Sequence, residues 1–173
     1  MLLCPPRNML EIFLNYCRTA QPHSVDSMHR FFEGVVCFPY DNELLLQAYL
    51  FLNMQEIFPQ CDRLLLFEKP PYGDYTNIGK CDFVYLTKDR HLLLIETKYI
   101  DTDARGDTER KRRNKHRNKV IDQVVSLRET FCDYWHFKPE DVSGAVFTTD
   151  STLTARGENV GVETKSIAIN DLL

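Results

Sequence analysis

The chain has 173 residues, 43% of them hydrophobic and 27% charged, with 21 Lys plus Arg against 25 Asp plus Glu. That size and balance are those of one globular domain with a core large enough to fold unaided, and they exclude disordered, collagen-like and low-complexity classes. No apolar run approaches the roughly 18 to 20 residues of a membrane helix, and no basic segment leads into an apolar stretch and a cleavage site. An intracellular protein without a signal peptide, cytoplasmic or nuclear, is expected, and no membrane partner. The six cysteines lack Cys-x-x-Cys or tight Cys/His spacing and read as reduced, mostly buried thiols.

Met9, Ile12, Phe13, Tyr16, Cys17 and Ala20 recur on one helical face, with Asn8 placed to cap it. A short helical turn over Asp26 to Glu33 follows, and residues 1–40 are expected to form a helical N-terminal extension. Asp41 or Asn42 can cap a second helix reaching Phe58, apolar almost all round, with Glu43 and Gln47 sharing one face. Three strands are expected at Arg63 to Glu68, Cys81 to Thr87 and His91 to Ile100, the last two joined by a tight turn at Asp89. A helix from Thr108 to Trp135 would span about 42 Å, so its basic first half can project beyond the body. Ser143 to Thr149 reads as a strand reached through that helix, parallel to a central strand, and Lys165 to Ile169 as an edge strand. The expected fold is α/β: helix, three-strand meander, helix, strand, with a mixed sheet flanked by helices. A core over 41–149 and a C-terminal edge element over 150–173 complete one domain.

Charge is concentrated. Between Arg105 and Lys119 there are eight basic residues against two acidic ones, so the remainder of the chain carries −10 of the overall −4. Clustered Lys and Arg on an acidic body suit a polyanion partner, although a solvated helix face or a nuclear-import signal has the same composition.

A hairpin centred on Asp89 pairs Leu86 with Leu92 and Val84 with Leu94, which sets Asp82 opposite Glu96 and Lys98 one pleat along on the same face. These strands are otherwise apolar on both faces, so two carboxylates and an ammonium there are costly. Adjacent carboxylates in a low-dielectric site repel unless a cation lies between them. A hard divalent ion that keeps its waters, Mg2+ rather than zinc, fits the pair. It could activate a water and polarise a phosphoryl oxygen while Lys98 stabilises developing charge. The alternative is an internal salt bridge.

Gly79-Lys80-Cys81-Asp82, thirteen residues, then Glu96-Thr97-Lys98 resembles the signature of the PD-(D/E)XK, restriction-endonuclease-like nuclease superfamily. Together with the element order, the resemblance covers roughly residues 41–149, and Cys81 stands where the family name has Pro. It implies a metal-dependent nuclease that hydrolyses phosphodiester bonds by a Mg-activated water, with Mn2+ as a substitute and DNA favoured over RNA. Asp82, Glu96, Lys98 and Glu43 would be catalytic, with Asp82, Glu96 and Glu43 metal-holding. The family often adds an acid from the helix before the meander, here Glu43, with Glu56 as second choice, and a polar or basic group from the following helix, here Lys119 and Gln123. Arg110, Lys111, Arg112, Arg113, Lys115 and Arg117, with Lys119 and Gln123, would hold the nucleic acid. His91 and His116 read as surface histidines, and Asp101 and Asp103 as a turn that could extend the metal site. The alternative is a catalytically inactive nucleic-acid-binding domain of the same fold, or a module of a larger complex; a homodimer is left open.

Overall fold

A computed structural model describes residues 8–21, 23–71 and 79–172. Three N-terminal helices start on side-chain caps. Asn8 accepts from the Leu10 amide ahead of α1 (Met9–Ala20), Ser24 from Ser27 ahead of α2 (Val25–Cys37), and Asp41 from Leu44 ahead of α3 (Asn42–Leu52). α2 is longer than the turn expected from the sequence because its Met28, Phe32 and Val35 find a buried seat beside α3. The second predicted helix breaks at Asn53, whose side-chain amide donates to the Tyr49 carbonyl, and resumes as α4 (Met54–Ile57).

The sheet has five strands in sequential order: β1 (Cys61–Lys69), β2 (Cys81–Thr87), β3 (Leu92–Lys98), β4 (Val142–Thr148) and β5 (Glu163–Ser166). The first three run antiparallel as a meander; β4 and β5 add in parallel. α5 (Asp107–Trp135) makes the crossover from β3 to β4. Short helices α6 (Leu153–Glu158) and α7 (Ile169–Leu172) flank β5, so the C-terminal segment is more than the edge strand expected there. The hairpin register is the one read from the sequence, with Leu86 opposite Leu92 and Val84 opposite Leu94.

β2 and β3 are buried on both faces because helices cover each side. On one face α1 and the second half of α5 pack Phe13, Phe131 and Trp135 onto Val84, Leu86, Leu92 and Leu94. On the other, α2, α3 and α4 set Phe32, Leu46 and Phe58 against Phe83, Tyr85, Leu93 and Ile95. Fully buried Phe13 and Phe32 make the first two helices working members of both layers. The middle of α5 packs through Val120 and Val124 onto Val146 of β4 and Leu153 of α6. Cys17, Cys61, Cys81 and Cys132 are buried thiols and Cys37 is exposed, all five unbridged. No helix among the described residues is long and apolar enough to cross a membrane.

Candidate active site

The paired rungs of the hairpin end at Phe83 opposite Ile95, and the next residue on each strand is an acid. Asp82 is held by its neighbour strand: one oxygen accepts from both the Thr97 amide (2.8 Å) and the Thr97 hydroxyl (2.7 Å). Burial still lifts its carboxyl above the usual range. Those two hydrogen bonds pull the other way, and the charges of Glu43 and Glu68 add to the rise.

Glu96 is only 3% exposed. One carboxylate oxygen accepts from the side-chain amide of Gln123 on α5 at 2.9 Å, while the other, Oε1, has no hydrogen-bond partner among the described residues. Burial, then the charge of Asp82, pushes its carboxyl up to about 9. A buried acid with one oxygen satisfied and one orphaned stays neutral on its own and becomes a carboxylate when a cation approaches.

Lys98 ends β3 and reaches α3, where its Nζ lies 3.2 and 3.4 Å from the two oxygens of Glu43. One turn further along α3, buried Gln47 donates to Glu68 at 3.4 Å. Glu68 sits in β1 with φ +49°, a left-handed conformation that a non-glycine residue adopts at a cost. The site therefore lies at the carboxyl end of β3, walled by α3 on one side and α5 on the other. Asp82, Glu96, Lys98, Glu43 and Gln123 come together there. Asp82 and Glu96 are the residues that could hold a metal ion, while the carboxylate of Glu43, expected as a third ligand, is paired with Lys98; no group of three or more His, Cys, Asp and Glu side chains forms a ready-made cage among the described residues.

Gln47, Glu68 and Thr97 belong to this constellation and were not singled out from the sequence for it. Only Gln47 carried a signal, its helical spacing from Glu43. Glu56 lies on α4, on the rim of a separate cavity with Asp62 and Arg63. Asp101 folds back onto the amides of Asp103 and Ala104, a local turn after β3. His91 approaches Asp141 at 3.8 Å, away from the carboxylates. His116 is half-buried, and its basicity is lowered by burial first and then by the charges of Lys98 and Arg112.

No family model matches the chain, and no curated protein does. Solved structures similar to it include two endonuclease structures. One is an EndoMS–dsDNA complex, at 18% identity over 73% of this chain and 44% of that one, with a TM-score of 0.49. The other is a repair endonuclease from Pyrococcus abyssi, at 18% identity over 75% of this chain and 48% of that one, with a TM-score of 0.43. The chain spans less than half the length of either.

The basic half of α5 divides into four. Arg110 and Arg112 pair with Asp107 (3.1 Å) and Glu109 (4.0 Å) on exposed helix surface, and Lys111 is exposed beside them. Arg113 donates to the Ala104 carbonyl. Lys115, Lys119 and Gln123 line a groove of about 900 Å3 together with Lys80 and Asn118. Arg117 turns inward instead: its Nε lies 2.5 Å from Asp150, which is 1% exposed. Burial alone would raise the Asp150 carboxyl, but the Thr152 hydroxyl and Arg117 outweigh it and hold it below the usual range. Arg117 is thus committed to the fold and is not part of the phosphate-facing set expected from the sequence.

Proposed function

We propose that this chain is a metal-dependent nuclease that hydrolyses phosphodiester bonds of nucleic acid, DNA in preference to RNA. The observation that supports it most is the pair of adjacent acids, half-buried Asp82 and buried Glu96, with Oε1 of Glu96 left without a hydrogen-bond partner among the described residues. Asp82 and Glu96 would hold Mg2+, or Mn2+ in its place. Two carboxylates with retained waters are a donor set that suits such an ion. Bound there, the ion would supply Lewis-acid polarisation of a phosphoryl oxygen and a more acidic water.

The remaining work falls to the chain's own groups. Thr97 fixes Asp82 and Gln123 fixes one oxygen of Glu96, so neither acid has to reorganise when it ionises. Glu43 aims the Lys98 ammonium at the site, where it orients the attacking water or meets charge building on the phosphate. Lys115, Lys119 and Lys80 along the groove would hold the sugar-phosphate backbone without reading sequence. The preference for DNA rests on the resemblance of the Asp82, Glu96 and Lys98 spacing to the PD-(D/E)XK signature. An intracellular workplace, cytoplasmic or nuclear, fits that substrate.

A second reading, a nucleic-acid-binding domain that does not cut, would use the same groove lined by Lys80, Lys115 and Lys119. Glu96→Gln separates the two. Under the nuclease reading it abolishes Mg2+-dependent cleavage and leaves nucleic-acid binding within about twofold, since the amide keeps the shape but not the charge. Cleavage at the wild-type rate in this variant would show that the metal assignment is wrong.

A further inference from the structure

We propose that the cavity between α2 and the outer end of β1 receives a single unstacked nucleobase of the substrate, so that the preferred substrate is single-stranded or locally unstacked nucleic acid. This inference rests on the nuclease reading. The cavity measures about 450 Å3, within the range of pockets that take a small organic ligand and ample for a nucleobase. Its apolar walls are Met28, Phe31 and Phe67, and its rim carries Gln21, His23 and Glu68. Phe31 is a large apolar side chain that is 45% exposed, with its ring 5.2 Å from Phe32 and 6.2 Å from Phe67. An aromatic face bordered by amide, imidazole and carboxylate groups is what a flat heterocycle with a hydrogen-bonding edge requires.

Position decides the ligand. Lys80 lines this cavity and also the groove on α5 that holds Lys115 and Lys119. Asp82 follows Lys80 by two residues. Glu68, on the cavity rim, is close enough to act electrostatically on Asp82 and receives the Gln47 amide. A strand whose phosphates track the lysines of the groove therefore brings a neighbouring base to Phe31 while its backbone passes the carboxylates. A base in an intact duplex is already stacked on both faces and cannot enter without leaving the helix, whereas a single strand offers one freely.

The test uses the full chain in EDTA, so that nothing is cut, with single-stranded and duplex oligonucleotides carrying 2-aminopurine at successive positions, followed by fluorescence and by titration. With the wild type, the fluorescence of the single strand is expected to fall at one position. Phe31→Ala should lose that change and weaken single-strand binding about tenfold or more, with duplex binding unaltered. Phe31→Leu, which keeps the apolar wall but not the ring, should lose the fluorescence change with less loss of affinity, separating stacking from folding damage. Nucleic acid that is bound, and is cut once Mg2+ is added, with the same 2-aminopurine signal in wild type and both variants would overturn the base pocket and leave the nuclease standing. Absence of both binding and cutting by the wild type would overturn the nuclease reading and this inference with it.

Discussion

Glu96 concentrates the electrostatic strain of the chain, and it makes stability depend on pH in an unusual direction. An acid whose folded value is pushed to about 9 from a reference of 4.5 keeps a proton that the unfolded chain releases. Between those values the folded state binds more protons than the unfolded one, so stability without metal falls as pH rises, by at most about 1.4 kcal/mol per pH unit. Thermal melts in EDTA should show the midpoint dropping from pH 5 to pH 9, and Glu96→Gln should flatten that slope and melt higher at pH 8. A wild-type midpoint that climbs over this range would contradict the assignment. At the same scale, Lys98→Ala should lower cleavage at least about a hundredfold, the size expected for a group that meets transition-state charge, with binding little changed. Asp82, Glu96 and Lys98 were legible in the sequence because a two-residue period and a tight turn fix which side chains share a face. Glu68 was not, since its place depends on a left-handed backbone within β1. Arg117 was misread because its charge is visible in the sequence and its partner, buried Asp150, lies 33 residues away.

Elements hold these side chains in place through close backbone packing. A Cβ at Gly144 of β4 would lie 2.5 Å from the Val124 side chain, and Val124 follows Gln123, the residue that fixes Glu96. Gly144→Ala should therefore push α5 outward, cost about 1 to 3 kcal/mol of stability, and reduce cleavage by loosening the Gln123 contact. Matched denaturant unfolding and cleavage rates check this; an unchanged midpoint would mean that α5 is less tightly seated than the geometry requires. The hairpin, α1 and α5 were readable from periodicity, cap residues and turn placement. The break at Asn53 was not, because apolar residues continue across it, and α2 was cut short because its buried residues are spaced for a neighbour that the sequence does not reveal.

For the molecule as a whole, an acidic body carries a basic arm on α5, and the structure sorts that arm by destination. Neutralising Lys115 and Lys119, which line the groove, should weaken binding and flatten its dependence on salt, because fewer counterions are released. Arg117→Ala should instead cost roughly 3 kcal/mol of stability, as breaking a buried pair does, and leave the salt slope nearly as it was. Equal effects of the two changes on salt dependence would place Arg117 back among the phosphate contacts. The order helix, meander, helix, strand was legible because each connection has its own length and composition, while α6 and α7 were missed for want of length.

The central claim, metal-dependent cutting by Asp82, Glu96 and Lys98, is tested most directly by cleavage of a panel of single-stranded, double-stranded and branched DNA and RNA. Wild type and Lys98→Ala are compared with Mg2+, with Mn2+ and with EDTA. The expected result is cutting of DNA by the wild type with either metal, abolished by EDTA and lowered at least about a hundredfold by Lys98→Ala. Cutting that survives in EDTA or that proceeds at the wild-type rate in the variant, or salt-sensitive binding with no cutting of any substrate, would contradict it.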